Sequence, residues 1–375
     1  MFRTSRMLLI LTLAIAGLTL LGHAQTNAHS GAVFVMTNNA ERNEIVAYKR
    51  NADGTLMEGR SFLTGGRGSG GVTDPLGSQG SLTLTQDRSF LLAVNAGSGD
   101  ISVFRVFGDS LWLVDKTPCG GSEPVAVAQL GHLVYVVNAG AASNVTGFWL
   151  DSFGRLYQIP HSTTFLTTTN SGASSLAFSP DGQFLLATEK LTNNIDAFHI
   201  NADGTLAPIV VNSSAGPGLF AILFAPNGTA LAVETGPAGG HNASAISSYS
   251  LQTNGTLTPI STSVPTLGTA TCWHVVTPNG RFVYTSNAGS ATISGLSIGA
   301  NGSLTPVSTT ILATLPSGST NLDIAVSADG KFLYTLDSGT GTVGAFGIDS
   351  DGTLTTLSEA NGVSASSGFN GIAAN

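Results

Sequence analysis

The sequence has few charged residues and no cluster of basic ones. Asp, Glu, Lys and Arg make up 10% of the 375 residues, against about a quarter in an average soluble protein. Disorder combines high charge with low hydrophobicity, so 42% hydrophobic residues argues against a disordered chain. The formal net charge of -8, without any run of Lys or Arg, argues against a phosphate-binding surface for nucleic acid or anionic lipid.

Cysteines and the common catalytic motifs are also scarce. The two cysteines, Cys119 and Cys272, fall in different repeats, and no CxxC or Cys/His cluster indicates a zinc site. No Gly-x-Ser-x-Gly elbow, HExxH helix or dinucleotide-binding fingerprint occurs, which excludes several hydrolase and dehydrogenase classes. Strong helix formers rarely occur in register, whereas Val, Thr, Phe, Gly and Asn are abundant. The composition therefore predicts an all-β protein.

Residues 1–24 are typical of a secretory signal peptide. Arg3 and Arg6 precede an apolar stretch from Met7 to Leu21, and Gly22-His23-Ala24 supplies small residues for cleavage. The apolar stretch is shorter than the roughly 20 residues of a membrane-spanning helix, although an uncleaved anchor stays an alternative. We expect an exported protein, periplasmic or secreted, with a single mature domain over residues 25–375.

A turn of the type Asp/Asn-Gly-Thr/Ser-Leu recurs about every fifty residues. Clear copies begin at Asp53, Asp203, Asn254, Asn301 and Asp351, and weaker ones surround Gly108 and Gly154. Seven copies at one period indicate a repeat architecture.

A second turn, such as Ser179-Pro180-Asp181-Gly182, recurs in phase with the first. Short apolar strands precede and follow it, as in Leu176–Phe178 and Phe184–Ala187. They are apolar on both faces, as expected of sheets packed between neighbours. A third and a fourth strand flank the Asp-Gly-Thr-Leu turn. Four strands in each of seven repeats predict an all-β seven-bladed β-propeller, with two stacked sandwiches as the alternative.

The two ends of the chain predict how the ring closes. Residues Ala32–Met36 resemble a second strand with no first strand before it, whereas Gly368–Ala374 resembles a first strand. The C-terminal segment should therefore complete the first blade and remove an open sheet edge.

The strand order sorts the connections onto two faces. Both recurring turns lie on one face, and the loops between second and third strands lie on the other, with the crossings between blades. The second face is irregular, because it holds the glycine-rich Gly65–Gly71 and the long loop Glu234–His241. Loops on a rigid scaffold commonly carry function, so we place the site on this face.

Three segments resemble the seven-bladed lactonase family, which includes 6-phosphogluconolactonase-like proteins and fungal carboxymuconate cyclases. They are Phe90–Gly97, Ala187–Ile195 and Thr271–Val275, and the resemblance extends over the whole mature chain. It implies that a lactone is opened or closed at the mouth of the channel without a metal.

The resemblance also implies a site that this chain lacks in part. The family begins a central first strand with Gly-Pro-Arg-His and ends a second strand with Asn-Glu-Leu. Here these positions hold Gly172-Ala173-Ser174-Ser175 and Glu189-Lys190-Leu191, so the arginine and the histidine are missing. An arginine would hold a phosphate or an oxyanion and a histidine would move a proton, so we expect an unphosphorylated substrate, if the chain is catalytic.

Three residues are the candidates for acid–base catalysis. Glu189 and Glu234 end the second strands of neighbouring repeats, and His241 follows in the long loop. A salt bridge with Lys190 or simple solvation is the alternative for Glu189, and solvation is the alternative for His241.

Substrate-binding candidates are polar residues at the expected channel mouth together with one aromatic ring and two cations. They are Arg67, Gln79, Glu123, Lys190, Trp273, Asn321, Asp323 and Asn370. Trp273 could stack on a sugar or aromatic ligand, or pack between blades. The polar residues at the first strands could hold a calcium ion, but a water-filled channel without metal or cofactor is the preferred interpretation.

Two hypotheses follow. The first is an exported lactonase-like enzyme acting on a small sugar or aromatic lactone. The second is a non-catalytic propeller that binds a small ligand, a glycan or a protein on the same face. Neither involves nucleic acid or a membrane, and we expect a monomer.

Overall fold

The computed structural model describes residues 31–72, 74–365 and 368–375, so the predicted signal peptide lies outside the described residues. Regular structure in these ranges consists of β-strands throughout. The strands are β1 (Ala32–Met36), β2 (Glu44–Lys49), β3 (Arg60–Leu63), β4 (Leu82–Leu84), β5 (Phe90–Asn95), β6 (Asp100–Phe107), β7 (Ser110–Pro118), β8 (Pro124–Leu130), β9 (Leu133–Asn138), β10 (Asn144–Leu150), β11 (Leu156–Gln158), β12 (Thr164–Phe165), β13 (Ala173–Phe178), β14 (Phe184–Glu189), β15 (Asn194–His199), β16 (Val210–Ser213), β17 (Leu219–Phe224), β18 (Thr229–Glu234), β19 (Ala245–Leu251), β20 (Leu257–Pro265), β21 (Thr271–Val276), β22 (Phe282–Asn287), β23 (Thr292–Ile298), β24 (Leu304–Thr314), β25 (Asn321–Val326), β26 (Phe332–Asp337), β27 (Thr342–Ile348), β28 (Leu354–Asn361) and β29 (Ile372–Ala374).

These strands form seven antiparallel sheets, which confirms the predicted seven-bladed β-propeller. From the inner to the outer strand, blade 1 is β29-β1-β2-β3 and blade 2 is β4-β5-β6-β7. Blade 3 holds β8 to β11, with β12 paired to β10, and blades 4 to 7 take four consecutive strands each from β13 to β28.

The C-terminal strand closes the ring as the sequence predicted. Strand β29 pairs with β1 through Val33 and Ala374, Phe34 and Ala373, and Val35 and Ile372. Blade 1 therefore combines the two ends of the described chain in one sheet.

The second strand of most blades is buried on both faces, because neighbouring blades cover it. All six residues of β5, β14, β18, β22 and β26 are buried. Apolar side chains on these strands form the clusters that fill the space between blades. This burial is the main source of stability in such a ring.

The recurring Asp-Gly-Thr-Leu turn also joins one blade to the next. Asp203 accepts hydrogen bonds from the backbone N–H (3.0 Å) and the hydroxyl (2.6 Å) of Thr205. Gly204 adopts a φ of 76°, which favours glycine. Its carbonyl accepts a 2.8 Å bond from Tyr135 of the preceding blade. The same tyrosine-to-glycine bond joins Tyr284 to Gly352 and Tyr334 to Gly54.

The connections divide between two faces as predicted. The face with the two recurring turns is called the hairpin face here, and the opposite one the loop face. The loop between β18 and β19 is the longest between a second and a third strand. No helix in the described ranges has the length and apolar character needed to span a bilayer.

Candidate functional site

A short segment lies across the central channel. It comprises residues 74–80, in the crossing from blade 1 to blade 2, and is called the septum here. The Gln79 N–H donates to the Ser174 carbonyl of blade 4 at 2.9 Å, and the Ser78 hydroxyl donates to the Val125 carbonyl of blade 3 at 2.8 Å. The septum therefore binds the inner strands of blades that are far from it in the chain.

Blade 6 holds the same segment from the opposite side. The Trp273 indole N–H donates to the Ser78 carbonyl at 2.8 Å. The Gln79 side chain donates to the His274 carbonyl at 2.6 Å and accepts from the His274 backbone N–H at 3.3 Å. With three blades bound, the septum separates the channel into a part on the loop face and a part on the hairpin face.

An acidic and a basic side chain both contact Gly77 at the edge of the septum. Asp74 accepts hydrogen bonds from the Gly77 N–H at 3.0 Å and from the Asn370 side-chain amide at 2.9 Å. The Lys190 ammonium donates to the Gly77 carbonyl and lies 5.0 Å from the centre of the Phe220 ring. Asp74 and Lys190, called the mouth pair here, are both partly buried.

Burial changes the acid–base properties of the mouth pair. It raises the pKa of Asp74 to about 6, although the Lys190 charge, the Gly77 N–H and the Asn370 amide each lower it. Burial also lowers the pKa of Lys190, and Asp74 opposes that change. A carboxyl group that titrates close to neutral pH beside an ammonium group can move a proton and stabilise a developing negative charge.

Sequence reasoning missed Asp74, although a signal was present. The crossing that contains it spans residues 64–81, whereas the other crossings between blades have five to ten residues. A connection so much longer than its counterparts in a regular ring is uncommon, and such loops are often functional.

Glu189 does not face the channel. It is fully buried, and its carboxylate accepts hydrogen bonds from the Thr167 N–H at 2.8 Å, the Thr167 hydroxyl and the Thr192 hydroxyl at 2.6 Å. These bonds tie the crossing into blade 4 to the loop after β14.

Glu234 occupies the equivalent place in blade 5. One carboxylate oxygen accepts from the Gly216 N–H at 2.8 Å and the Ser247 hydroxyl at 2.7 Å, and the other from the Ser263 hydroxyl at 2.7 Å. Glu234 also lines a small pocket of about 180 Å³ on the loop face, together with Asn242 of the long loop.

The two glutamates belong to a repeated structural position. The last residue of the second strand is polar in blades 2 to 7, and its members are Asn95, Asn138, Glu189, Glu234, Asn287 and Asp337. Asn95, for example, donates to Ser102 at 2.8 Å, and Asn287 donates to Ser294 at 2.8 Å. Asparagine occupies the same position in blades 2, 3 and 6. Glu189 and Glu234 therefore have a structural role at this position, because their hydrogen bonds join strands to crossings.

The remaining candidates separate into exposed and buried groups. Arg67, Glu123 and His241 are exposed on the loop face. Trp273 is fully buried and packs edge-on against Phe220, with ring centres 5.1 Å apart, so its ring offers no surface on which a ligand could stack.

The polar residues of the first strands do not form one ring at the mouth. Asn321 is buried and donates to the Thr292 carbonyl at 3.1 Å. Asn370 is buried, and it contacts Ser81 as well as Asp74. Gln79 and Asp323 line the part of the channel that opens on the hairpin face.

The start of β13 carries no catalytic side chain. Ser174 is fully buried and donates to the Phe220 carbonyl at 2.6 Å, and Ser175 accepts from the Ile222 N–H at 3.0 Å. The septum lies directly over this strand start through the bond from Gln79 to Ser174. Lys190, at the end of the adjacent strand, brings a positive charge to the same region.

Metal and thiol chemistry have little support in the described part of the chain. No group of three His, Cys, Asp or Glu side chains there is arranged to hold a metal ion. Cys119 and Cys272 are free and buried, and burial raises the pKa of both thiols.

Comparison with known families identifies one match. The model of the family described as "Lactonase, 7-bladed beta-propeller" matches residues 23–235 and 223–368. No curated protein sequence matches the chain.

Solved structures share the fold at low sequence identity. A candidate 6-phosphogluconolactonase from Bacteroides uniformis is 18% identical, with a TM-score of 0.67 over 92% of this chain and 100% of its own. A periplasmic gluconolactonase from Pseudomonas aeruginosa is 17% identical, with a TM-score of 0.68 over 91% and 99% of the two chains. A protein from Lactobacillus plantarum is 17% identical, with a TM-score of 0.69 over 92% and 98%. Identities this low support the fold alone.

Proposed function

Because the chain belongs to the lactonase family of seven-bladed β-propellers, we propose that it is an exported hydrolase of a small, unphosphorylated lactone that acts at the mouth pair. The observation that carries the proposal is the placement of Asp74 and Lys190 together on the loop face, beside the strand start where the family has its arginine and histidine. Fold alone does not assign a reaction, whereas an acidic and a basic side chain at one place can carry one.

The mouth pair can perform both halves of lactone hydrolysis. Ionised Asp74 accepts a proton from a water molecule as the water oxygen attacks the lactone carbonyl carbon. The Lys190 ammonium stabilises the negative charge that develops on the carbonyl oxygen. When the bond between the carbonyl carbon and the ring oxygen breaks, protonated Asp74 returns its proton to the departing alkoxide. The product is a hydroxy acid, and the enzyme regains its starting protonation state.

The charges at the mouth favour an unphosphorylated lactone. Lys190 is the cation held there, and it already donates to Gly77 and interacts with the Phe220 ring. A phosphate carries about two negative charges and is usually held by several cations or backbone N–H groups. The two positions at which the family has its arginine and histidine hold buried Ser174 and Ser175 instead.

Both side chains of the mouth pair should be needed for fast lactone hydrolysis. In a pH-stat assay with sugar, aliphatic and aromatic lactones, we expect Asp74→Asn and Lys190→Met each to lower kcat by about 100-fold or more. The wild-type rate should rise with pH around 6, as Asp74 loses its proton, and Asp74→Asn should abolish this dependence. Lys190→Arg should retain part of the activity, because it keeps the charge.

Thermal melting of each variant shows whether a lower kcat comes from a loss of folding, and matched variants show whether any Asp or Lys substitution lowers kcat. Asp87→Asn and Lys331→Met change an aspartate and a lysine on the hairpin face, and both should leave kcat unchanged. Activity that survives in Asp74→Asn but disappears in Glu189→Gln or Glu234→Gln would return the acid–base role to the two glutamates. A folded protein with no turnover on any lactone would support the non-catalytic propeller instead.

A further inference from the structure

The part of the channel that opens on the hairpin face is a second cavity. It has a volume of about 500 Å³ and lies on the opposite side of the septum from the mouth pair. Its walls include the apolar ends of first strands, with Leu84, Leu130, Phe178, Phe224 and Val326 partly exposed to it. Apolar walls around a concave space of this size are typical of small-molecule sites.

The inner end of this cavity is polar. Gln79 of the septum, Ser175 of blade 4 and Asp323 of blade 7 line it there. Gln79 and Ser175 already have hydrogen-bond partners on neighbouring strands. Among the described residues that line the cavity, Asp323 alone has an ionisable side chain.

An irregularity of blade 7 holds Asp323 in this position. The pairing of β25 with β26 skips Leu322 and Asp323 on β25 and Leu336 on β26, whereas in blades 3 to 6 it skips one residue of the first strand and none of the second. Asp323 has a φ of 90°, in a region that favours glycine. A strained residue persists where the surrounding structure fixes it, and such residues cluster at functional sites.

The Asp323 carboxyl group retains hydrogen-bonding capacity after its contacts with the protein. One oxygen accepts from the Ile324 N–H at 2.9 Å and the other from the Ile372 N–H at 3.2 Å. A carboxylate oxygen can accept more than one hydrogen bond, so each can take a further donor. A cation at this point would also offset the cost of burying the negative charge, a cost that raises the pKa of Asp323 to about 7.

We propose that this cavity binds a small amphiphilic cation, with its ammonium group on Asp323 and its apolar tail along the channel. An anionic ligand would meet the carboxylate without a cation among the described lining residues to receive it. A neutral alcohol would lose the charge-assisted part of the interaction. The cavity lies on the other side of the septum from the mouth pair, and binding to it is measured without lactone turnover, so each proposal can fail without the other.

Calorimetric titration of the full mature protein with octylamine, octanol and octanoate tests the site. We expect octylamine to bind about tenfold more tightly than octanol, as one charge-assisted hydrogen bond would give, and octanoate to bind the least. Asp323→Asn should reduce the preference for the amine to about twofold or less. Equal binding of amine and alcohol by the wild-type protein would overturn the proposal.

Two further variants guard against indirect effects, since Asp323 also contacts the closing strand. Val326→Trp should narrow the apolar part of the cavity and weaken the binding of all three probes without changing the polar end. Asp351→Asn changes an exposed aspartate in a turn of the same blade and should leave the preference for the amine intact. Amine binding that is retained in both Asp323→Asn and Val326→Trp would place the probe elsewhere and overturn the proposal.

Discussion

Deletion of residues 368–375 is expected to abolish cooperative folding of the ring. The deletion removes β29, so β1 loses one of its two partner strands and blade 1 loses its innermost strand. It also removes Phe369 and Ile372, each 5% exposed, from the apolar cluster between blades 7 and 1. Truncation commonly costs roughly 3–5 kcal/mol for a buried phenylalanine and roughly 2–5 kcal/mol for a buried isoleucine, so the two together cost roughly 5–10 kcal/mol.

Polar contacts of the same segment add to this loss. Ile372 donates to Asp323, and Asn370 donates to Asp74 of the septum. A domain is typically stable by only 5–15 kcal/mol, so most of the folding free energy is removed. The truncated chain should be digested rapidly by a protease that leaves the full-length mature chain intact.

A peptide of residues 368–375 added in trans provides the matched control. It should restore part of the protease resistance, because it can pair with β1 as an added strand. A truncated protein with unchanged melting temperature and unchanged proteolysis would contradict closure through β29.

The architecture could be predicted from the sequence because it depends on local and repeated signals. The Asp-Gly-Thr-Leu turns, with their fixed hydrogen bonds, mark each outer hairpin, and the apolar runs between them mark strands buried on both faces. The closing strand could be predicted for the same reason, since Gly368–Ala374 repeats the pattern of other first strands.

The site was harder to predict because it depends on contacts between distant segments. Lys190 was a candidate, but its partner Asp74 lies 116 positions earlier, and the crossing of the septum over the channel brings them together. Glu189 and Glu234 were placed correctly at strand ends. Their side chains turn into the blade rather than toward the channel, a direction that strand position alone does not show.

A further prediction concerns Asp196, which faces Glu189 inside blade 4. In blades 2, 5 and 6 the equivalent residue is a serine that bonds to the polar end of the second strand, as Ser247 does with Glu234. Among the described residues no N–H or O–H group donates to Asp196, which is fully buried. We therefore expect Asp196 to be protonated, because a second buried negative charge beside the Glu189 carboxylate would be unpaired and repelled. Burial, and then the Glu189 charge, raise the pKa of Asp196 to about 8.

This arrangement makes the stability of the ring depend on pH. Below the ordinary pKa of about 3.8, Asp196 is protonated in both the folded and the unfolded chain, and it carries no penalty. As the pH rises toward 8, the unfolded chain releases the proton and the folded chain keeps it. The free energy of unfolding therefore falls by up to about 1.4 kcal/mol per pH unit. Above pH 8 the free energy of unfolding stops falling, because the folded chain has then released the Asp196 proton as well.

Asp196→Ser should remove the Asp196 contribution to this dependence by giving blade 4 the serine hydroxyl group found in blades 2, 5 and 6. We expect it to stabilise the protein by about 2–4 kcal/mol more at pH 8 than at pH 5, measured by urea unfolding at both values. Asp181→Ser is the matched control, because the bond from Ser179 and the other hydrogen bonds in its turn lower the pKa of Asp181. That control should not stabilise the protein at pH 8. A gain from Asp196→Ser that is equal at both pH values would show that packing, and not the protonation of Asp196, is what the substitution improves.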